Sequence, residues 1–139
     1  MNPHPIPSAG LRPLFDPQVN GYAGIDFQRD DLRPADLGHA VQAWRRDGGG
    51  SFLLTLITDE WPRLLDRLRR LRFLRDADPD LRAAVPGWHV EGPFLSDAPG
   101  YAGAHDPSRM RDPRRGDMEA LRDAAGPGPL LVTLAPERP

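Results

Sequence analysis

The sequence predicts an α/β fold built on a parallel sheet, and three observations carry that expectation. Apolar residues switch along the chain between short strand-like runs and longer stretches with a helical repeat. The run at 51–57 (S-F-L-L-T-L-I) is nearly all apolar, as expected of a strand covered on both faces. Prolines and glycines gather between such segments, at 1–17, 92–113 and 126–129. Regular alternation of this kind argues for strand–helix–strand units with parallel strands. A doubly wound sheet satisfies the order, and so does the first half of a (β/α)8 barrel. No G-x-G-x-x-G follows the first strand, which weakens the dinucleotide-binding version. A whole barrel takes ~250 residues and about eight strands, whereas these 139 residues supply about four. The chain is therefore a smaller fold or an incomplete barrel.

The elements follow in order. A first strand is expected at 15–19, broken by Pro17 and ended by a turn at Asn20-Gly21. At 34–47 the residues Leu37, Ala40, Val41 and Trp44 form the apolar stripe of a helix, which Gly48-Gly49-Gly50 stops. After the strand at 51–57, Thr58 and Asp59 are expected to cap a second helix, with Pro62 in its first turn. Trp61, Leu64, Leu65, Leu68 and Leu71 are its buried stripe, while Arg63, Asp66, Arg67 and Arg70 are expected to face outward. A third strand covers 87–91, a long loop 92–113, a short helix 118–125 and a fourth strand 130–134. Residues 1–14 are expected to be a flexible N-terminal segment, and residues 15–139 the folded domain.

Composition excludes several functions. A net charge of −2 gives no reason to expect nucleic acid or an anionic membrane as partner. The arginines at 63–75 have Asp66, Asp76 and Asp78 interleaved and a leucine stripe opposite, so they are a solvated helix face. Without cysteine, disulfides and thiolate zinc sites are excluded. There is no run of ~18 apolar residues and no apolar leader, so a soluble cytoplasmic protein is expected.

Three segments could carry chemistry. In H-V-E-G-P-F-L-S, starting at His89, the residues His89 and Glu91 share one strand face about 6–7 Å apart. Glu91 ends the strand, where parallel architectures carry their active sites, and carboxylate with imidazole suits a divalent metal. The same spacing also allows His89 to be a core histidine and Glu91 to pair with an arginine. In Q-V-N-G-Y-A-G, Gln18 and Asn20 share a face, but carboxamides ligate zinc poorly. In G-A-H-D-P, His105 sits in a glycine-rich loop beyond a strand's carboxyl end, within reach of a ligand.

Together D-P-Q-V-N-G-Y-A-G-I-D-F, F-L-L-T-L-I-T, H-V-E-G-P-F-L-S…G-A-H-D-P and V-T-L-A-P-E resemble the N-acetylglucosamine-6-phosphate deacetylases of the amidohydrolase superfamily. The similarity runs over residues 15–137, and the H-x-E-G-P-F…G-A-H-D-P block is specific to that family. It implies an incomplete (β/α)8, TIM-like barrel whose parent hydrolyses the acetamide of a phosphorylated N-acetyl amino sugar. Glu91 matches the family's metal-binding glutamate, and Ala104 and His105 match its sugar-contacting pair. Gln18, Asn20 and His89 fall where outer-shell groups are expected; Q-x-N in place of H-x-H points to one metal ion, zinc, instead of two. The resemblance also implies a homo-oligomer. Its remaining histidine ligands and its catalytic aspartate would lie beyond Pro139, so no catalytic residue is assigned to this chain, which is expected to be inactive alone. A half barrel with an unpaired edge is further expected to aggregate, dimerise or stay partly unfolded. A non-catalytic half barrel serving as a sugar-phosphate binding or assembly module is the alternative.

Overall fold

The computed structural model describes residues 14–137. The flexible segment expected at 1–14 lies outside them, except for Leu14, which opens the first strand. Along the chain run β1 (Leu14–Val19), β2 (Gly21–Tyr22), β3 (Ile25–Asp26), α1 (Pro34–Arg46), β4 (Gly49–Ile57) and α2 (Trp61–Asp76). Then come α3 (Pro79–Ala84), β5 (Gly87–Glu91), a 3-10 turn (Pro107–Arg109), α4 (Arg115–Ala125) and β6 (Leu130–Thr133). Four strands pair in the order β1-β4-β5-β6. Every pairing among them is parallel, with helices in each crossover. This is the arrangement of an incomplete (β/α)8 barrel.

The pleat divides the sheet into two unlike faces. Phe52, Leu54 and Leu56 of β4 and Trp88 and Val90 of β5 are buried against Leu37 and Val41 of α1, Leu64, Leu68 and Leu71 of α2, and Leu121 of α4. Trp88 anchors this layer. Its ring is 1% exposed, its Nε1 donates to the Ala125 carbonyl at 3.0 Å, and the Arg75 guanidinium lies 4.6 Å from its centroid. On the opposite face the register aligns Thr55 with His89 and His89 with Leu131. That face is polar where it is deepest. His89 shares hydrogen bonds with Thr55 Oγ1 through Nδ1 (3.3 Å) and with Thr133 Oγ1 through Nε2 (2.8 Å).

Several local expectations are corrected. The turn after β1 forms at Ala23-Gly24, both with positive φ, between β2 and β3 instead of at Asn20-Gly21. Gly49 and Gly50, expected only to stop α1, already belong to β4. Helix α3 was not expected, although its signal was present: Asp78 caps it by accepting from Asp80 N and Leu81 N, and Pro79 opens it. Trp61 is only partly buried, its ring tilted at 60° to that of Phe94 with the centroids 5.8 Å apart.

The largest correction concerns α2. Its N-cap is Glu60, without a side-chain cap, so neither Thr58 nor Asp59 caps it. Arg67, expected outside, has a side chain only 3% exposed, with Nη1 donating to Asp59 Oδ2 at 2.9 Å. Its Nε and Nη2 both donate to Asp30 Oδ1, at 2.9 and 2.8 Å. The helical wheel puts Arg67 at the border of the leucine stripe. Two carboxylates brought over that border from elsewhere in the chain turn an exposed position into a buried ion pair.

Gln28 also escaped the sequence reading. Its Nε2 donates to the Thr55 carbonyl (2.9 Å) and its Oε1 accepts from Ile57 N (3.1 Å). The β1–β4 pairing ends at Val19 and Leu54. Beyond it, the Gln28 carboxamide takes the place of a strand peptide and satisfies the edge of β4.

Candidate functional site

The carboxyl ends of β1, β4 and β5 bring four polar side chains together. Glu91, last residue of β5, presents one carboxylate oxygen to each neighbour. Gln18 Nε2 donates to its Oε2 at 3.0 Å. His105 Nε2 lies 3.8 Å from its Oε1, with the Glu91 side chain 24% and the His105 side chain 14% exposed. Thr58, the residue after β4, has its Oγ1 2.9 Å from His105 Nδ1 and donates to the Glu91 carbonyl at 3.3 Å. Residues 104 and 105 are carried over the mouth of the sheet by the long loop that follows Gly92-Pro93. Two backbone bonds fasten that loop's ends, Arg111 N to Pro93 O and Ala135 N to Phe94 O, at 3.0 and 2.8 Å.

Asp59 ties the same loop to the helix layer. Its Oδ1 accepts from Arg109 Nη1 at 2.5 Å while its Oδ2 holds Arg67. Burial pushes the Asp59 carboxyl up, but the Glu60 N–H and the guanidinium of Arg67 outweigh it and hold the group below the usual carboxylate range. A cleft of about 520 Å³ opens beside this ion pair, lined by Asp59, Trp61, Arg109, Arg111 and Arg114. Glu91 and His105 do not line it.

Of the residues singled out from sequence, Gln18, Glu91 and His105 meet. The Asn20 backbone carbonyl accepts from Phe27 N at 3.1 Å. Ala104 is exposed in the loop. His89 is two residues deeper than Glu91 and 2% exposed, with both ring nitrogens hydrogen-bonded to threonines. Burial pushes its pKa below the ordinary imidazole value, against a smaller opposing effect of Glu91, so the neutral ring is favoured. Glu91 does not pair with an arginine among the described residues; the basic side chain beside it is His105, at 3.8 Å. Thr58 was missed because its position suited a helix cap equally well. The signal available was its place, directly after a parallel strand, matching that of Gly92 after β5.

A divalent cation is tested here by its donor set. Glu91 offers a carboxylate and His105 an imidazole nitrogen. Among the described residues no group of three or more His, Cys, Asp or Glu side chains converges on one point. A catalytic zinc takes about three protein ligands. These residues do not complete such a set, and no catalytic step is routed through a metal on them alone.

No protein-family model matches the chain. Individual relatives do. It is 35% identical over 130 residues to the N-acetylglucosamine-6-phosphate deacetylase of Danio rerio, covering 89% of this chain and 30% of that protein. It is 34% identical over 137 residues to the Homo sapiens deacetylase of the same name, covering 91% of this chain and 31% of the relative. The crystal structure of the Mycobacterium smegmatis N-acetyl-D-glucosamine-6-phosphate deacetylase superposes with a TM-score of 0.73 at 31% identity, over 91% of this chain and 33% of that one. Over the stretch that aligns, the chain is similar to N-acetylglucosamine-6-phosphate deacetylases in both sequence and fold. It spans about a third of the length of the deacetylases it matches. A mutant of the M. smegmatis deacetylase, solved in complex with N-acetyl-D-glucosamine-6-phosphate, matches with a TM-score of 0.73 at 32% identity, over 89% of this chain and 30% of that one.

Proposed function

We propose that this chain supplies the first metal-binding carboxylate and the sugar-facing loop of a deacetylase that hydrolyses N-acetylglucosamine 6-phosphate to glucosamine 6-phosphate and acetate. In this reading Glu91 is one ligand of a single divalent cation, zinc. Imidazoles from outside these residues complete the set. His105, with Ala104 beside it, contacts the sugar, and Gln18 holds the Glu91 carboxylate by its hydrogen bond. Asn20 and His89 stay behind as support. The observation that carries the proposal is the convergence of Gln18, Glu91 and His105, from three separate chain segments, at the carboxyl end of a parallel sheet. The deacetylase relatives and the sugar-phosphate complex of a solved neighbour support the substrate class. With one carboxylate and one imidazole at the site, the 139 residues alone are expected not to release acetate. The cytoplasm is the compartment we propose, and homo-oligomeric assembly goes with the family reading; no helix among the described residues is long and apolar enough to cross a membrane.

The test is a chimera in which residues 14–137 replace the matching third of the M. smegmatis deacetylase. It is expected to bind metal and release acetate from N-acetylglucosamine 6-phosphate. Glu91→Gln in that chimera is expected to lower turnover by several orders of magnitude and to lose the metal by elemental analysis. Stoichiometric metal retained by the Glu91→Gln chimera would remove Glu91 from the ligand set.

A further inference from the structure

Thr58 is absorbed by neither the helix that it precedes nor the sheet that it leaves. It is 6% exposed, and its hydroxyl stands between the two residues on which the site depends. A threonine hydroxyl carries one proton. The Glu91 carbonyl, 3.3 Å away, can only accept, so a Thr58 proton given to it leaves the Thr58 oxygen to accept from His105 Nδ1 at 2.9 Å. The proton of a neutral His105 then sits on Nδ1, and Nε2 carries the lone pair.

That lone pair faces Glu91 Oε1 across 3.8 Å, a gap longer than a hydrogen bond. The other carboxylate oxygen is already engaged by Gln18. Two acceptors aimed at one another call for a donor between them. The loop cannot drift to relieve this, because Asp59, next to Thr58, holds Arg109 in an ion pair. Thr58 and Asp59 thus fasten the histidine-bearing loop at two successive residues beyond β4.

We propose that Thr58 is a positioning residue that locks His105 in the Nδ1–H tautomer and so presents Nε2 as an acceptor for a substrate hydroxyl. The lock stands on this chain's geometry alone; the identity of its donor as a sugar hydroxyl rests on the reading given under Proposed function. A residue that merely filled space at this position would leave the tautomer unchanged on substitution.

The experiment is a long-range proton–nitrogen correlation spectrum of the 139-residue chain labelled with nitrogen-15 histidine, at mildly alkaline pH. The wild-type chain is expected to show His105 protonated on Nδ1. Thr58→Ser keeps the hydroxyl and is expected to keep that pattern, whereas Thr58→Val is expected to shift it toward Nε2–H. An Nε2–H ring in the wild-type chain overturns the lock, whether or not the valine variant folds. So does an Nδ1–H ring that persists in a folded Thr58→Val chain. In the chimera described under Proposed function, where the rest of the site is present, added N-acetylglucosamine 6-phosphate is expected to shift His105 Nε2. Locked rings whose Nε2 does not move at saturating sugar phosphate would sink the sugar reading and leave the lock standing.

Discussion

Replacing Arg67 with methionine is expected to lower the unfolding free energy by about 3 kcal/mol, measured as a shift in the denaturation midpoint at unchanged slope. Methionine keeps most of the aliphatic stem, so the loss reports the guanidinium. Both partners of the Arg67–Asp59 pair are nearly withdrawn from solvent, at 3% and 9% side-chain exposure. Breaking a buried pair strands a desolvated charge, and that dominates the cost. The second link, to Asp30, contributes less because that carboxylate is 52% exposed and screened. Asp59 retains Arg109, which places the expectation at the lower end for buried pairs. The pH dependence has a definite sign. Because the folded protein holds the Asp59 carboxyl below its ordinary value, the pair's contribution is complete above ~pH 4 and fades as pH falls through the folded value. The gap between wild type and Arg67→Met should therefore narrow in acid. A gap that stayed constant down to the acid transition would contradict this assignment.

Gly92→Ala is expected to cost about 2–4 kcal/mol, from two causes acting together. Gly92 has φ of 82°, where a side chain is strained, and the added methyl would collide with Thr58 Oγ1. The nearest relief is blocked by Leu95, whose Cδ1 would lie 3.3 Å away. Gly24 separates the two causes. Its φ is 80° but nothing lies within 4 Å of its added methyl, so Gly24→Ala should cost only about 1 kcal/mol. Equal losses for the two substitutions would show that the collision with Thr58 is relaxed away.

Sequence pattern revealed the frame of this molecule well where the signal was local. The stripe at Leu64, Leu68 and Leu71 is buried as its spacing required, and the apolar run ending at Ile57 is the interior strand β4. It revealed poorly what depends on segments far apart. Arg67 reads as a surface residue until Asp30 and Asp59 arrive from before the helix. Gln28 has no periodicity to betray it, because its partners are the backbone of β4 and not side chains. At the site, Glu91 and His105 were visible through their glycine- and proline-rich surroundings, which mark shaped loops beyond strand ends. Thr58 was hidden because a threonine ahead of a helix has a sufficient local explanation.

The most direct measurement places a paramagnetic cation on the chimera proposed above, in which the ligand set is complete. Manganese(II) titrated into the metal-free chimera that carries residues 14–137 should broaden Glu91 first, then His105 and Gln18, with the effect fading over the helix layer. Broadening centred on Asp59 and Asp106, or on the acids of α2 and α3, while Glu91 stayed sharp would contradict the account.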